Sequence, residues 1–189
     1  MSEADNTTVT LIATSWQALQ RAENNGKKAL VFDSSTKLSD CIVTIVFASF
    51  FLEANLNHIL KTLGRYEDMQ KSCGNFPGLY KKLSWFYKEY AVKREAKNKD
   101  DLTTRIKIEF PDFDRICEFR NDVAHGNLDS IKPYEELHDL EPFFIEVGKL
   151  RNRTKEIVDK LFEISDKKAG CVIPRNKNYK DVLETYMME

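Results

Sequence analysis

The stretch KLSDCIVTIVFASFFLEANLNHILKTLG, from Lys37 to Gly64, decides the fold. Its apolar residues recur at the three-and-four spacing of a helix, not at the alternation of a half-buried strand. Near the middle it is apolar almost all round, which marks a helix enclosed on most sides. Gly64 supplies the left-handed residue that commonly closes such a helix. The spacing therefore predicts one long central helix from about Lys37 to Leu63. Its longest unbroken apolar run, Cys41 to Leu52, is too short to span a bilayer and is followed by Glu53.

Outward from this segment the pattern stays helical. Val9, Ile12, Trp16 and Leu19 share one face of a helix predicted from Thr8 to Asn24, with Gly26 near its end, and Asp33, Ser34 and Ser35 make a loop before the central helix. Downstream, Gly74 to Gly78 breaks the chain. A helix from Leu79 to Lys93 carries Leu79, Leu83, Phe86, Tyr87 and Tyr90. Lys97 to Asp101 reads as a polar loop. Ile106 to Phe110 fits a brief extended piece or a helical turn ended by Pro111. The next helix starts at Pro111 and Asp112 and stops at Gly126. A loop, Asn127 to Asp139, precedes a long helix from Leu140 to Ser165 with Pro142 in its first turn. The tail, 170–189, holds Pro174 and a short helix over Tyr179 to Met188. The expected fold is all-α, an antiparallel bundle of about five helices forming a single domain over 1–169.

Composition agrees. A chain of 189 residues is long enough for one domain with a substantial core, and only seven glycines and five prolines leave few of the turns an all-β fold needs. The net charge of −1 gives no bulk attraction to nucleic acid. Any RNA contact must come from local arrangement, and the basic runs Lys27-Lys28, Lys81-Lys82, Lys93 to Lys99 and Lys149 to Lys155 read first as solvated helix faces. The four cysteines, Cys41, Cys73, Cys117 and Cys171, form no C-x-x-C pair and no metal-ligand spacing with His58, His125 or His138, so no metal or other cofactor is expected. The polar, acidic start MSEADNTT is not a signal peptide, which makes the cytoplasm the expected compartment and a membrane partner unexpected.

Two charges stand where apolar residues belong. In PDFDRICEFRNDVAHG, Pro111 to Gly126, the helical neighbours of Arg120 are Ile116, Cys117, Val123 and Ala124, with Phe113 two turns back on the same line. An arginine keeps its charge at any ordinary pH, so burying it without a partner is costly. On the central helix, Glu53 has Val46, Phe50, Leu56 and Leu60 on its face, with Ser49 and Asn57. The two anomalies suggest a buried Arg120–Glu53 pair. That pair is either an internal salt bridge or part of a site where Arg120 meets an anion. His125 lies in the last turn, where the helix dipole favours positive charge, and an imidazole there can move a proton near neutral pH. Asn121, one turn earlier, is placed to orient it.

Arg120-Asn121-Asp122-Val123-Ala124-His125 is similar to the R-x4-H motif of HEPN-domain proteins, with a polar residue after the arginine and Gly126 after the histidine. Phe50 to Leu60, FFLEANLNHIL, resembles the early acidic helix of that family. The likeness covers about 37–165. It implies a helical bundle that acts as a metal-independent endoribonuclease on RNA. It also implies a homodimer with two motifs at one cleft, a place in toxin–antitoxin or phage-defence systems, and an antitoxin or regulatory protein as a further partner. Arg120 would then stabilise charge growing on the scissile phosphate and His125 would transfer a proton. Asn121 would orient His125 or touch the phosphate, and Glu53 would hold Arg120. One toxin subgroup carries a modifiable tyrosine two residues after the histidine; here that residue is Asn127. The alternative is a non-catalytic HEPN-like module that binds RNA, a nucleotide or a protein. Independently of the resemblance, Phe47 and Phe51 lie on the side of the central helix away from Glu53, where either the first or fifth helix of the chain or a second copy would cover them.

Overall fold

The computed structural model describes residues 34–75, 77–91, 99–125 and 141–173, and every regular element among them is helical. The expected helix Thr8 to Asn24, residue Gly126, the loop Asn127 to Asp139 and the helix Tyr179 to Met188 lie outside those residues. The central helix, α1, spans Ser34–Thr62. Ile45, Ala48, Leu52, Ile59 and Leu60 on it are fully enclosed, each worth about 1.5–3 kcal/mol of transfer free energy for a side chain larger than alanine. Two buried polar residues are satisfied within the helix: Ser49 Oγ donates to the Val46 carbonyl at 2.7 Å and Asn55 Nδ2 to the Phe51 carbonyl at 2.8 Å. Gly64, at φ 65°, closes α1 as expected. Its N–H bonds the Lys61 carbonyl at 2.9 Å and the Arg65 N–H bonds that of Leu60 at 2.8 Å, the paired bonds of a Schellman turn.

By length and composition Cys41–Thr62 could cross a membrane, but 56% of its most apolar window is buried inside the protein. The apolar pattern continues past Glu53, so the run that ends at Leu52 understates the helix.

The remaining helices are more numerous and shorter than the periodicity alone suggests. α2 is Tyr66–Cys73, α3 Leu79–Tyr90, α4 Lys99–Glu109, α5 Pro111–His125, α6 Glu141–Gly148 and α7 Leu150–Ala169. Helix α4 takes up Lys99 to Asp101 of the expected polar loop and makes Ile106 to Glu109 helical, with the Phe110 N–H still bonding the Ile106 carbonyl at 2.7 Å and Ile106 and Phe110 buried in the core. The long helix expected over Leu140 to Ser165 is two helices. Lys149 bonds back only three residues, to the Glu146 carbonyl at 3.1 Å, just after Gly148, a residue that weakens a helix interior.

Contacts along the helices fix their directions. Lys82 meets Glu53 and Asn57, while Glu89 meets Arg65, so α3 runs the same way as α1. Phe110 lies against Tyr87 and Phe113 against Tyr80, so α5 runs opposite to α3 and therefore to α1. Arg153 pairs with Asp112 at 2.9 Å and Lys160 with Glu109 at 2.9 Å, so α7 also runs opposite to α5. The result is an all-α helical bundle around α1 in which α3 and α7 run with α1 and only α5 among these runs against it, in place of the simple antiparallel order expected, with Phe113, Ile116 and Phe119 of α5 in its core.

Candidate functional site

Helix α5 begins in the core and ends outside it. Phe113, Ile116 and Phe119 are buried, and Phe119 stacks edge-on against Phe143 of α6 with centroids 5.6 Å apart. From Arg120 onward no residue of the helix is buried: Arg120, Asn121, Ala124 and His125 are exposed, and Asp122 and Val123 intermediate. Arg120 keeps its place around the helix but lies too far along the axis to be enclosed. Its Nη1 donates to Asn121 Oδ1 at 3.1 Å, and it pairs with no carboxylate among the described residues. Asn121 is thus turned toward Arg120, not toward His125 as expected. His125 is the exposed last residue of α5. Arg120, Asn121 and His125 therefore all lie at one exposed helix end.

The expected Arg120–Glu53 pair is not formed. Glu53 bonds instead to Lys82 of α3, whose Nζ lies 2.5 Å from Oε1, and the same Nζ donates to Asn57 Oδ1 at 3.1 Å. The Lys82 side chain is 5% exposed and that of Glu53 33%. Lys82, expected on a solvated face as part of the Lys81-Lys82 run, is instead buried, although a signal for this was present. It stands three residues after Leu79 and four before Phe86, on the apolar stripe of its own helix. A charge in that position is the same anomaly that singled out Arg120.

No protein family, curated protein or solved structure matches the chain.

Cys117, one turn before Arg120, lies where α5 faces α1. Burial pushes its thiol up to about 12, with Asp114 adding in the same direction and Arg120 opposing, and Glu118 and Glu53 are also within electrostatic reach. Among the described residues, no group of three or more histidine, cysteine or acidic side chains could hold a metal ion. The basic run at Lys149 to Lys155 is in part engaged in ion pairs, Arg153 with Asp112 and Lys155 with Asp159 at 2.6 Å.

On α1, the uncovered apolar side differs from expectation. Phe51 is buried, whereas Phe50 is 44% and Val43 41% exposed, and Phe47 between them is partly buried. Phe47 and Phe50 meet edge-to-face with centroids 6.0 Å apart. Because α5 runs opposite to α1, its Arg120 end points toward this half of α1.

Proposed function

We propose that the chain is a metal-independent endoribonuclease of HEPN type, acting on RNA as a homodimer in the cytoplasm. The observation that carries this reading is the exposed guanidinium of Arg120. It has no carboxylate to neutralise it among the described residues and shares one helix end with His125. A phosphodiester supplies the missing anion, and a guanidinium donates to two of its oxygens at once. In the proposed reaction the ribose 2′-oxygen attacks the adjacent phosphorus and loses its proton, and the bond to the 5′-oxygen of the next nucleotide breaks. That oxygen gains a proton, and a 2′,3′-cyclic phosphate remains. His125 gives or takes one of these protons, Arg120 stabilises the charge on the phosphoryl oxygens, and Asn121 holds Arg120. Glu53 has no direct contact with Arg120 in this reading. Val43, Phe47 and Phe50 form the apolar surface that a second copy covers, next to the same helix end. A toxin or defence role with a protein antitoxin follows from the resemblance only.

One observation favours the alternative, a HEPN-like module that binds RNA, a nucleotide or a protein without cutting. Asn121 faces the arginine, so the imidazole of His125 lacks the amide that was expected to orient it. Labelled RNA incubated with the purified protein in EDTA separates the two. Fragments ending in a 2′,3′-cyclic phosphate, lost when the cleaved nucleotide is 2′-deoxy, support the nuclease. RNA that is bound but intact supports the module.

A further inference from the structure

Past Phe119 no residue of α5 is buried, and a helix end frays unless the turn before it is fixed. Phe119 is the last enclosed side chain of that turn, 1% exposed. Its ring meets Phe143 of α6 edge-on, with centroids 5.6 Å apart, and the guanidinium of Arg115 lies 4.2 Å from its centroid. Residues four apart share a helix face, so Arg115 and Phe119 are presented to α6 together. Arg115 reaches beyond the ring. Its Nε donates to Glu146 Oε1 of α6 at 3.0 Å and its Nη1 to Glu118 Oε2 at 3.5 Å. The Arg115 and Glu146 side chains are 32% and 25% exposed, so their ion pair is partly shielded from water. Stacking on a ring while bridging to a second helix needs a planar, forked cation, which lysine does not supply. Asp112 and Asp114 tie the start of α5 to Arg153 of α7 and Lys107 of α4. Arg115, through Phe119, acts on the residue next to Arg120.

We propose that Arg115 is a positioning residue for the exposed end of α5: by bridging Phe119 and Glu146 it clamps the last buried turn onto α6, and so fixes where the guanidinium of Arg120 meets a phosphate oxygen of RNA. The clamp itself is a matter of helix packing. Its effect on RNA rests on the reading of Arg120 as the phosphate-binding group.

The clamp is measured first without RNA. Hydrogen exchange of the full chain, followed by mass spectrometry, compares the amides of Arg120 to His125 with those of Ile45 to Leu60 in α1. Arg115→Met should speed exchange at the α5 end about fivefold or more, the size of a lost cation–π contact and ion pair, and change α1 by less than about twofold. Arg115→Lys, which keeps a charge for Glu146 without the flat stack, should recover about half of that protection. An α5 end as protected in Arg115→Met as in the wild type, or an α1 loosened equally, overturns the proposal. Glu146→Gln, which leaves Arg115 on the ring, should give a smaller change in the same direction, and it decides the matter should the methionine variant not fold. The second readout is steady-state cleavage of RNA. A smaller folded fraction lowers kcat and leaves KM alone, whereas a misplaced phosphate-binding group raises KM, here by about fivefold in Arg115→Met. Glu146→Gln should raise KM as well. If Arg115 touched RNA itself, removing the carboxylate beside it would lower KM, and that result overturns the proposal, as does an unchanged KM in a chain whose α5 end has loosened. Exchange as expected, in a wild-type chain that cuts no RNA, would instead defeat the role in RNA together with the reading it rests on, and leave the clamp standing.

Discussion

Removing either end of the Glu53–Lys82 pair should have unequal effects, and the burial of the two side chains gives the sign. Glu53→Ala leaves an ammonium group 5% exposed, with Asn57 Oδ1 at 3.1 Å as its remaining acceptor. Stranding a buried charge in this way costs about 3–5 kcal/mol. Lys82→Met keeps the apolar stem and strands a carboxylate that is already 33% exposed. Water can replace the lost donor there, so the cost should be about 1–2 kcal/mol, near the low end for a hydrogen bond to a charged group. For a chain of this size the glutamate variant should melt roughly 6–20 °C lower. The double variant should be more stable than the sum of the two single losses by about 2 kcal/mol. Urea unfolding followed by circular dichroism at pH 7 measures all three. A Lys82→Met loss equal to or larger than that of Glu53→Ala would refute the burial argument, and strict additivity would refute the pair.

Three further outcomes are expected. Arg120→Ala should change stability by no more than about 0.5 kcal/mol, as for other exposed positions, while lowering RNA cleavage by about a hundredfold or more; a loss of several kcal/mol in unfolding would mean that the guanidinium is enclosed. Cys117 should resist alkylation of the native protein at pH 8 while exposed Cys171 reacts, because the thiol of Cys117 is pushed up to about 12. The unfolded chain releases that proton from about pH 8.5, so this contribution to stability is complete below that pH and is lost as the pH rises toward about 12; equal labelling of the two cysteines would contradict it. Phe50→Asp should shift a dimer to monomer in light scattering without unfolding it, since Phe50 is 44% exposed in a single chain, and a wild-type chain monomeric at high concentration would remove the second copy from the reading.

Much of the bundle was legible because helical periodicity is local. The central helix, its Gly64 closure and the boundaries of α5 follow from the identity of residues three and four apart. The same local rules did not find α4, whose polar start offers no apolar stripe, or the single-residue interruption between α6 and α7. The motif at Arg120, Asn121 and His125 was also legible, as a set of residue types on one helix end. Its partners were not. Asn121 turns to Arg120 at 3.1 Å, and Glu53 belongs to Lys82.

Residue order along each helix is enough to say which residues share a face, and so which charges stand on an apolar line: Glu53, Arg120 and, on the same criterion, Lys82. Tertiary structure alone decided how deep each one lies. A helical repeat specifies the angle of a side chain around the axis and says nothing of where neighbouring helices begin and end along it. Lys82 falls where α1 covers α3 and is enclosed, whereas Arg120, at an equally apolar angle, falls where α5 has run past the core and meets water. Partner choice follows from that depth, because a buried ammonium must take the nearest carboxylate and a solvated guanidinium need not.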